Sequence, residues 1–289
     1  MSLPARNLER SRLADAGHAE VNGTKLYYEL YGNGPPILLL HGFALDRRLW
    51  RPQIEALSER HLVISYDARG FGRSANPGPR AYSHFTDAAA LLRYLDVGPV
   101  LAVGHSVGAY QLLELSLARP DLVSGLVALC PSGLSGLALP PDMASLQREL
   151  QLTARTAGVS AAKRQWASSS WFKSARDKLG VKTVFDQLLA DYSGWHWTHD
   201  STERRLEPSA GLLLDQLRVP ALVITGGRDL AYHDSVGRAL LRGIPDAQAL
   251  ELPQAGHLAG LEEPEAVSSA ILDFARSLAC EAPPLSGVA

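Results

Sequence analysis

The chain has 289 residues, 46% of them hydrophobic, with 28 basic against 30 acidic side chains and two cysteines. That length and apolar content suffice to bury one large core. Balanced charge without a basic run argues against nucleic acid as a partner, and no apolar stretch is long enough to span a membrane. Cys130 and Cys280 are too few and too isolated for a disulfide framework or a zinc site.

Residues 1–20 read as a polar N-terminal segment without the apolar core of a signal peptide, so the expected location is cytoplasmic. From there strand-like and helix-like stretches alternate. An early antiparallel strand at 25–31 is followed by strand 37–40, helix 50–57, strand 62–66 and helix 86–95. Strand 100–103, helix 107–118 and strand 126–130 come next. After a gap follow strand 221–225, helix 235–241, strand 247–252 and helix 265–278. This rhythm predicts an α/β fold with a doubly wound, mostly parallel sheet. Between 131 and 207 there is no strand candidate, only amphipathic helical patterns such as 146–152 and 184–189. The expected division is a core from 21–130 and 208–280, interrupted by a helical cap insertion at 131–207.

The most informative motif is Gly104-His105-Ser106-Val107-Gly108. It follows the apolar run from Val100 to Val103 and precedes a helical pattern, which puts a lone serine on a strand-turn-helix corner. Small flanking residues suit a nucleophile on a strained turn, where larger side chains would strike the neighbouring strand and helix. A base and an orienting acid follow in order. Asp229 lies on the loop past strand 221–225, and His257 comes directly after strand 247–252. The order Ser106, Asp229, His257 differs from the triad orders of the chymotrypsin-like and subtilisin-like enzymes.

These residues, with three further motifs, resemble the α/β-hydrolase fold family over about Thr24 to Leu278. His41-Gly42-Phe43 looks like the family's oxyanion loop. The stretch from Asp67 through Arg69, Gly70 and Gly72 to Ser74 looks like its D-x-R-G-x-G-x-S turn. Gly256-His257-Leu258 through Glu265 looks like its catalytic-histidine loop. The resemblance implies Ser106 as nucleophile, His257 as base and Asp229 as acid, with the backbone N–H groups of Phe43 and Val107 as the oxyanion hole. Ser106 sets the chain apart from the aspartate-nucleophile dehalogenases and epoxide hydrolases. Closest in look are enol-lactonase-like and small carboxylesterase-like members. The expected reaction is therefore hydrolysis of a carboxylic ester or lactone through an acyl-enzyme. C-C bond hydrolysis of a ring-cleavage product and a non-turnover ligand-binding role are the alternatives.

No cofactor is required by this chemistry, and the expected partner is a small-molecule substrate. No metal site is expected either: His196, His199 and Asp200 have a usable spacing but no convincing third ligand. Four of the five tryptophans (Trp166, Trp171, Trp195, Trp197) fall in the insertion. Trp195, Trp197, Trp171 and Tyr192 are the candidate walls of an apolar substrate pocket, the alternative being that these rings only pin the cap down. Arg47 and Arg48 read either as solvated surface charge or as receivers of a substrate carboxylate. His105 and His41 carry no expected chemistry.

Overall fold

Strands buried on both faces must be apolar at nearly every position, and this sequence writes several of them. In the computed structural model, which describes residues 13–281, they form one sheet. The strands are β1 (Leu13–Val21), β2 (Thr24–Tyr31), β3 (Pro36–Leu40), β4 (Leu62–Tyr66), β5 (Val100–His105), β6 (Val123–Leu129), β7 (Ala221–Gly226) and β8 (Gln248–Leu252). Their order across the sheet is β1-β2-β4-β3-β5-β6-β7-β8. β1 and β2 pair antiparallel, as do β2 and β4, and every later pairing is parallel. The central strand β3 has no access to solvent at Ile37, Leu38, Leu39 and Leu40. Each such side chain contributes about 1.5 to 3 kcal/mol by its burial.

Helices cover both faces: α1 (Arg51–Leu57), α2 (His84–Tyr94), α3 (Val107–Ala118) and, late in the chain, α9 (Ala231–Gly243), α10 (Ala259–Glu262) and α11 (Pro264–Glu281). α3 is buried at every position from Gly108 to Ser116, as expected of a helix apolar on all sides. Between β6 and β7 the chain leaves the sheet and forms α4 (Pro141–Thr156), α5 (Val159–Ser168), α6 (Lys173–Asp177), α7 (Leu179–Asp191) and α8 (Trp195–Thr198). Among the described residues no helix is long and apolar enough to cross a membrane.

The sequence reading differs from the structure at the start. Residues 13–20, read as part of a polar segment, form β1, an edge strand whose fully buried hydrophobic residue is Ala19. An exposed edge strand shows little apolar alternation, so its signal is weak. Residues 1–12 of that segment lie outside the described residues.

Candidate active site

Parallel register aligns the carboxyl ends of the strands, and loops leaving neighbouring ends meet there. Leu40 pairs with Gly104, His105 with Leu129, and Ile224 with both Leu129 and Leu250. The loop after β3, the β5–α3 corner, and the loops after β7 and β8 therefore open on one side.

Ser106 sits at the corner with φ 55° and ψ −123°, a conformation most side chains avoid. Its glycine neighbours are required by space. A Cβ on Gly104 would lie 2.5 Å from Ala109 N, and one on Gly108 would lie 2.5 Å from the carbonyl oxygen of His41. Ser106 itself is 3% exposed. Its Oγ donates to His257 Nε2 at 3.0 Å, and His257 Nδ1 donates to Asp229 Oδ2 at 2.8 Å. The donor assignment follows from Asp229: an ionised carboxylate only accepts. Burial opposes its charge, but His257 and the hydrogen bonds from His233 and His257 hold its carboxyl well below the usual range.

His257 is held by groups outside that chain. Glu262, at the end of α10, accepts from Gly256 N at 3.0 Å and Leu258 N at 3.3 Å, gripping the loop on both sides of the histidine. His105 Nε2 donates to the carbonyl oxygen of His257 at 2.7 Å. Burial, then the nearby His257, pushes His105 down to about 3, so it stays neutral and braces the loop. Gly42 makes room for it: a Cβ there would lie 2.7 Å from His105 Nδ1. His41 is likewise a brace, accepting from Ala68 N at 3.0 Å and donating to Gly42 O at 2.8 Å.

Phe43 and Val107 both line the cavity beside Ser106. Neither backbone N–H donates to a protein acceptor among the described hydrogen bonds. Val107 opens α3, where the first N–H groups of a helix have no internal partner and carry its positive dipole end. Two free amides next to a serine can stabilise negative charge on an oxygen bound there.

The cavity has a volume of about 590 Å³. Leu150 from α4, Trp166 from α5, Trp171, Phe172 and Trp197 supply apolar wall, whereas Gln111, His196, Glu203 and Arg205 supply polar wall. Two of the four candidate substrate residues, Trp171 and Trp197, face this space. Trp195 and Tyr192 do not. Trp195 stacks on His199 at 5.1 Å, and Tyr192 packs on Phe71 while its hydroxyl meets His196 Nδ1 at 3.0 Å. Trp166 and Phe172 take their place in the wall; helical spacing alone does not reveal which ring of a crowded segment points inward. Phe43 ties the two regions together, its ring lying 5.7 to 6.1 Å from those of Phe71, Trp166, Tyr192, His196 and Trp197.

Arg47 answers to neither reading made for it. It is 8% exposed and ion-paired with Glu29 at 2.8 Å and Asp67 at 2.9 Å beneath the oxyanion loop. Arg48 pairs with Asp46 and with Asp191 of α7. His196 and His199 face different neighbours, and Asp200 pairs with Arg155 at 2.9 Å. Asp229, His233 and His257 do place ligand-type atoms within 4.8 Å of one another. Both carboxylate oxygens and both Nδ1 atoms are joined by hydrogen bonds, so these four atoms form a proton-holding network. His233 was absent from the sequence reading, although its position four residues after Asp229 was visible.

A family model described as alpha/beta hydrolase fold matches residues 35–264. RutD of Azorhizobium caulinodans, provisionally named a carbamate hydrolase, is 30% identical over 259 residues, covering 89% of this chain and 97% of that protein. The enol-lactonase of Burkholderia xenovorans LB400 superposes with a TM-score of 0.73 at 26% identity, covering 90% of this chain and all (100%) of that one. A thermophilic esterase from Thermogutta terrifontis gives a TM-score of 0.74 at 25% identity, over 92% of this chain and 99% of its own. With this sheet order, this strand-end site and a family match over most of its length, the chain belongs to the alpha/beta hydrolase fold family.

Proposed function

We propose that the protein is a serine hydrolase that cleaves a carboxylic ester or lactone of a small, partly hydrophobic substrate. The observation that carries this reading is the hydrogen-bond chain from Ser106 through His257 to Asp229, with Ser106 beside two amides that have no protein acceptor among the described residues. Ser106 Oγ attacks the carbonyl carbon as its proton passes to His257 Nε2. The amides of Phe43 and Val107 stabilise the oxyanion, and Asp229 holds the imidazole in the productive tautomer. His257 then gives the proton to the departing alkoxide, leaving an acyl group on Ser106. Water, deprotonated by His257, attacks the acyl carbonyl, the acid is released and His257 returns the proton to Ser106 Oγ.

The helices from 141 to 198 act in this reading as a cap over the site. Their apolar rings receive the hydrocarbon part of the substrate, and the end near Glu203 and Arg205 receives a polar group. An esterase and a lactonase among the structural neighbours support the reaction class. A panel of short esters and lactones assayed on the purified protein, with a fluorophosphonate probe, is the direct test. Multiple turnover with labelling at Ser106 is expected; labelling at another residue, or no turnover across the panel, would retire the proposal.

A further inference from the structure

His233 is a buried histidine beside the Ser106–His257–Asp229 chain that the proposed reaction leaves without a task. It lies in the first turn of α9, and its side chain is 1% exposed. Its Nδ1 is 2.7 Å from Asp229 Oδ1, while His257 Nδ1 is 2.8 Å from Oδ2. One carboxylate thus joins two imidazoles, one on each oxygen. The two rings stack with centroids 4.0 Å apart and planes 22° from parallel. Trp171 closes against both, 4.6 Å from His233 and 5.4 Å from His257. His233 Nε2 is buried with no hydrogen-bond partner among the described residues.

The protonation state follows from these contacts. Asp229, being ionised, obliges His233 to carry its proton on Nδ1, which leaves Nε2 a bare lone pair. A second proton there would create a cation face to face with His257, with no acceptor for the new N–H. Burial, reinforced by His257, accordingly pushes His233 down to about 4. The ring remains a neutral donor while His257 takes up and returns its proton.

We infer that His233 is a positioning residue for the candidate triad: its Nδ1–H locks the rotation of the Asp229 carboxylate and draws charge away from the oxygen that faces His257. The inference rests on the serine-hydrolase reading. Without it Oδ1 keeps only the N–H of Leu230, its own chain neighbour, and the carboxylate would swing out of line with His257. It would also be more basic, and so hold the imidazolium longer than leaving-group protonation requires. The other groups around the pair do not duplicate the donor. His105 of β5 bonds the His257 carbonyl, Glu262 of α10 bonds the flanking amides, and the Cys130 thiol after β6 meets Gly256 O. Leu230 N–H reaches the same Oδ1 at 2.7 Å, but it belongs to the adjoining residue of the same loop and moves with it.

Two substitutions separate this role from simple packing. His233→Phe keeps a ring against His257 and removes the donor. His233→Asn keeps a donor near the Nδ1 position and removes the ring. The expected result for His233→Phe is a kcat lowered roughly tenfold to hundredfold, the scale of a misplaced catalytic group, with KM little changed. The acid limb of its kcat/KM profile should move upward by ~0.5 to 1 pH unit, because a less hydrogen-bonded carboxylate favours the imidazolium. His233→Asn should recover most of kcat and the original limb. A His233→Phe enzyme with wild-type kcat and pH profile, or an Asn variant more impaired than Phe, would overturn the inference. Histidine-selective ¹⁵N NMR on the unaltered protein gives a second reading that survives a variant that does not fold. Two far-downfield Nδ1 protons, one per imidazole on Asp229, are expected, and a single one would overturn the pairing. That count needs no substrate, whereas full turnover in Ser106→Ala would overturn the hydrolase reading itself.

Discussion

The rim of the sheet and the helices from 141 to 198 hold their side chains in different ways. At the rim, the main chain that carries Ser106, Asp229 and His257 is fixed by parallel register, a strained corner and hydrogen bonds from loop amides, such as Asp229 N–H on Gly226 O at 3.0 Å. In the helical segment, position is set by rings against rings, as in Trp166 against Phe172 at 5.1 Å and Phe172 against Phe185 at 4.3 Å. Register admits one solution, while apolar contacts tolerate exchange of one ring for another. On the proposed reading, chemistry belongs on the rim and substrate choice in the helices. Phe43 belongs to both, with its amide beside Ser106 and its ring against four rings of the helical segment, those of Trp166, Tyr192, His196 and Trp197.

The sharpest test of that division is Ser106→Ala. A triad acts as a unit, and loss of its nucleophile should lower kcat by about 10⁶-fold while the thermal unfolding curve stays in place. Substantial residual esterase activity would place the chemistry elsewhere. Next in size is Asp229→Asn, expected to lower kcat by about 10⁴-fold because the imidazole is then free to adopt the wrong tautomer. Stopped-flow acylation with an activated ester would read this directly. Near-normal acylation would show that the rim does not depend on its acid.

Substitutions in the helices should behave otherwise. Trp171→Ala and Trp197→Ala should change relative kcat/KM across acyl chain lengths by roughly tenfold to two-hundredfold while Ser106 keeps its reactivity toward a small phosphonate. Trp195→Ala should leave the chain-length profile alone and lower the thermal unfolding midpoint, since its ring packs on His199 and not on the cavity. Equal profiles for all three variants would erase the distinction between wall and packing.

The smallest effect expected is on stability against pH. Burial pushes His105 down to about 3, and His196 and His233 down to about 4. A histidine whose pKa is depressed on folding binds its proton more readily when unfolded, near ~6.5. Its contribution is complete above that pH and is lost as the pH falls toward the folded value. Denaturant midpoints should therefore decline steadily from about pH 6.5 to about pH 4. His196→Asn, in the helical segment, should flatten part of that slope, and an unaltered slope would mean that this ring does not titrate with folding.

Much of the rim was legible in the sequence because its requirements are local. Apolar runs mark strands buried on both faces, and Gly104 and Gly108 mark a corner with no space for a Cβ. Chain order alone set Ser106, Asp229 and His257 at the ends of three strands that a parallel sheet must align. β1 was missed because an exposed edge strand buries too little to leave a pattern. Tertiary structure alone decided which rings face the cavity, sending Trp171 and Trp197 inward with Trp166 and Phe172, and Trp195 and Tyr192 away. It also decided that Arg47 is a buried ion-pair partner and that His233 shares the Asp229 carboxylate. Each of these depends on the angle at which one helix or loop meets another, which is set by long-range packing and leaves no periodic trace along the chain.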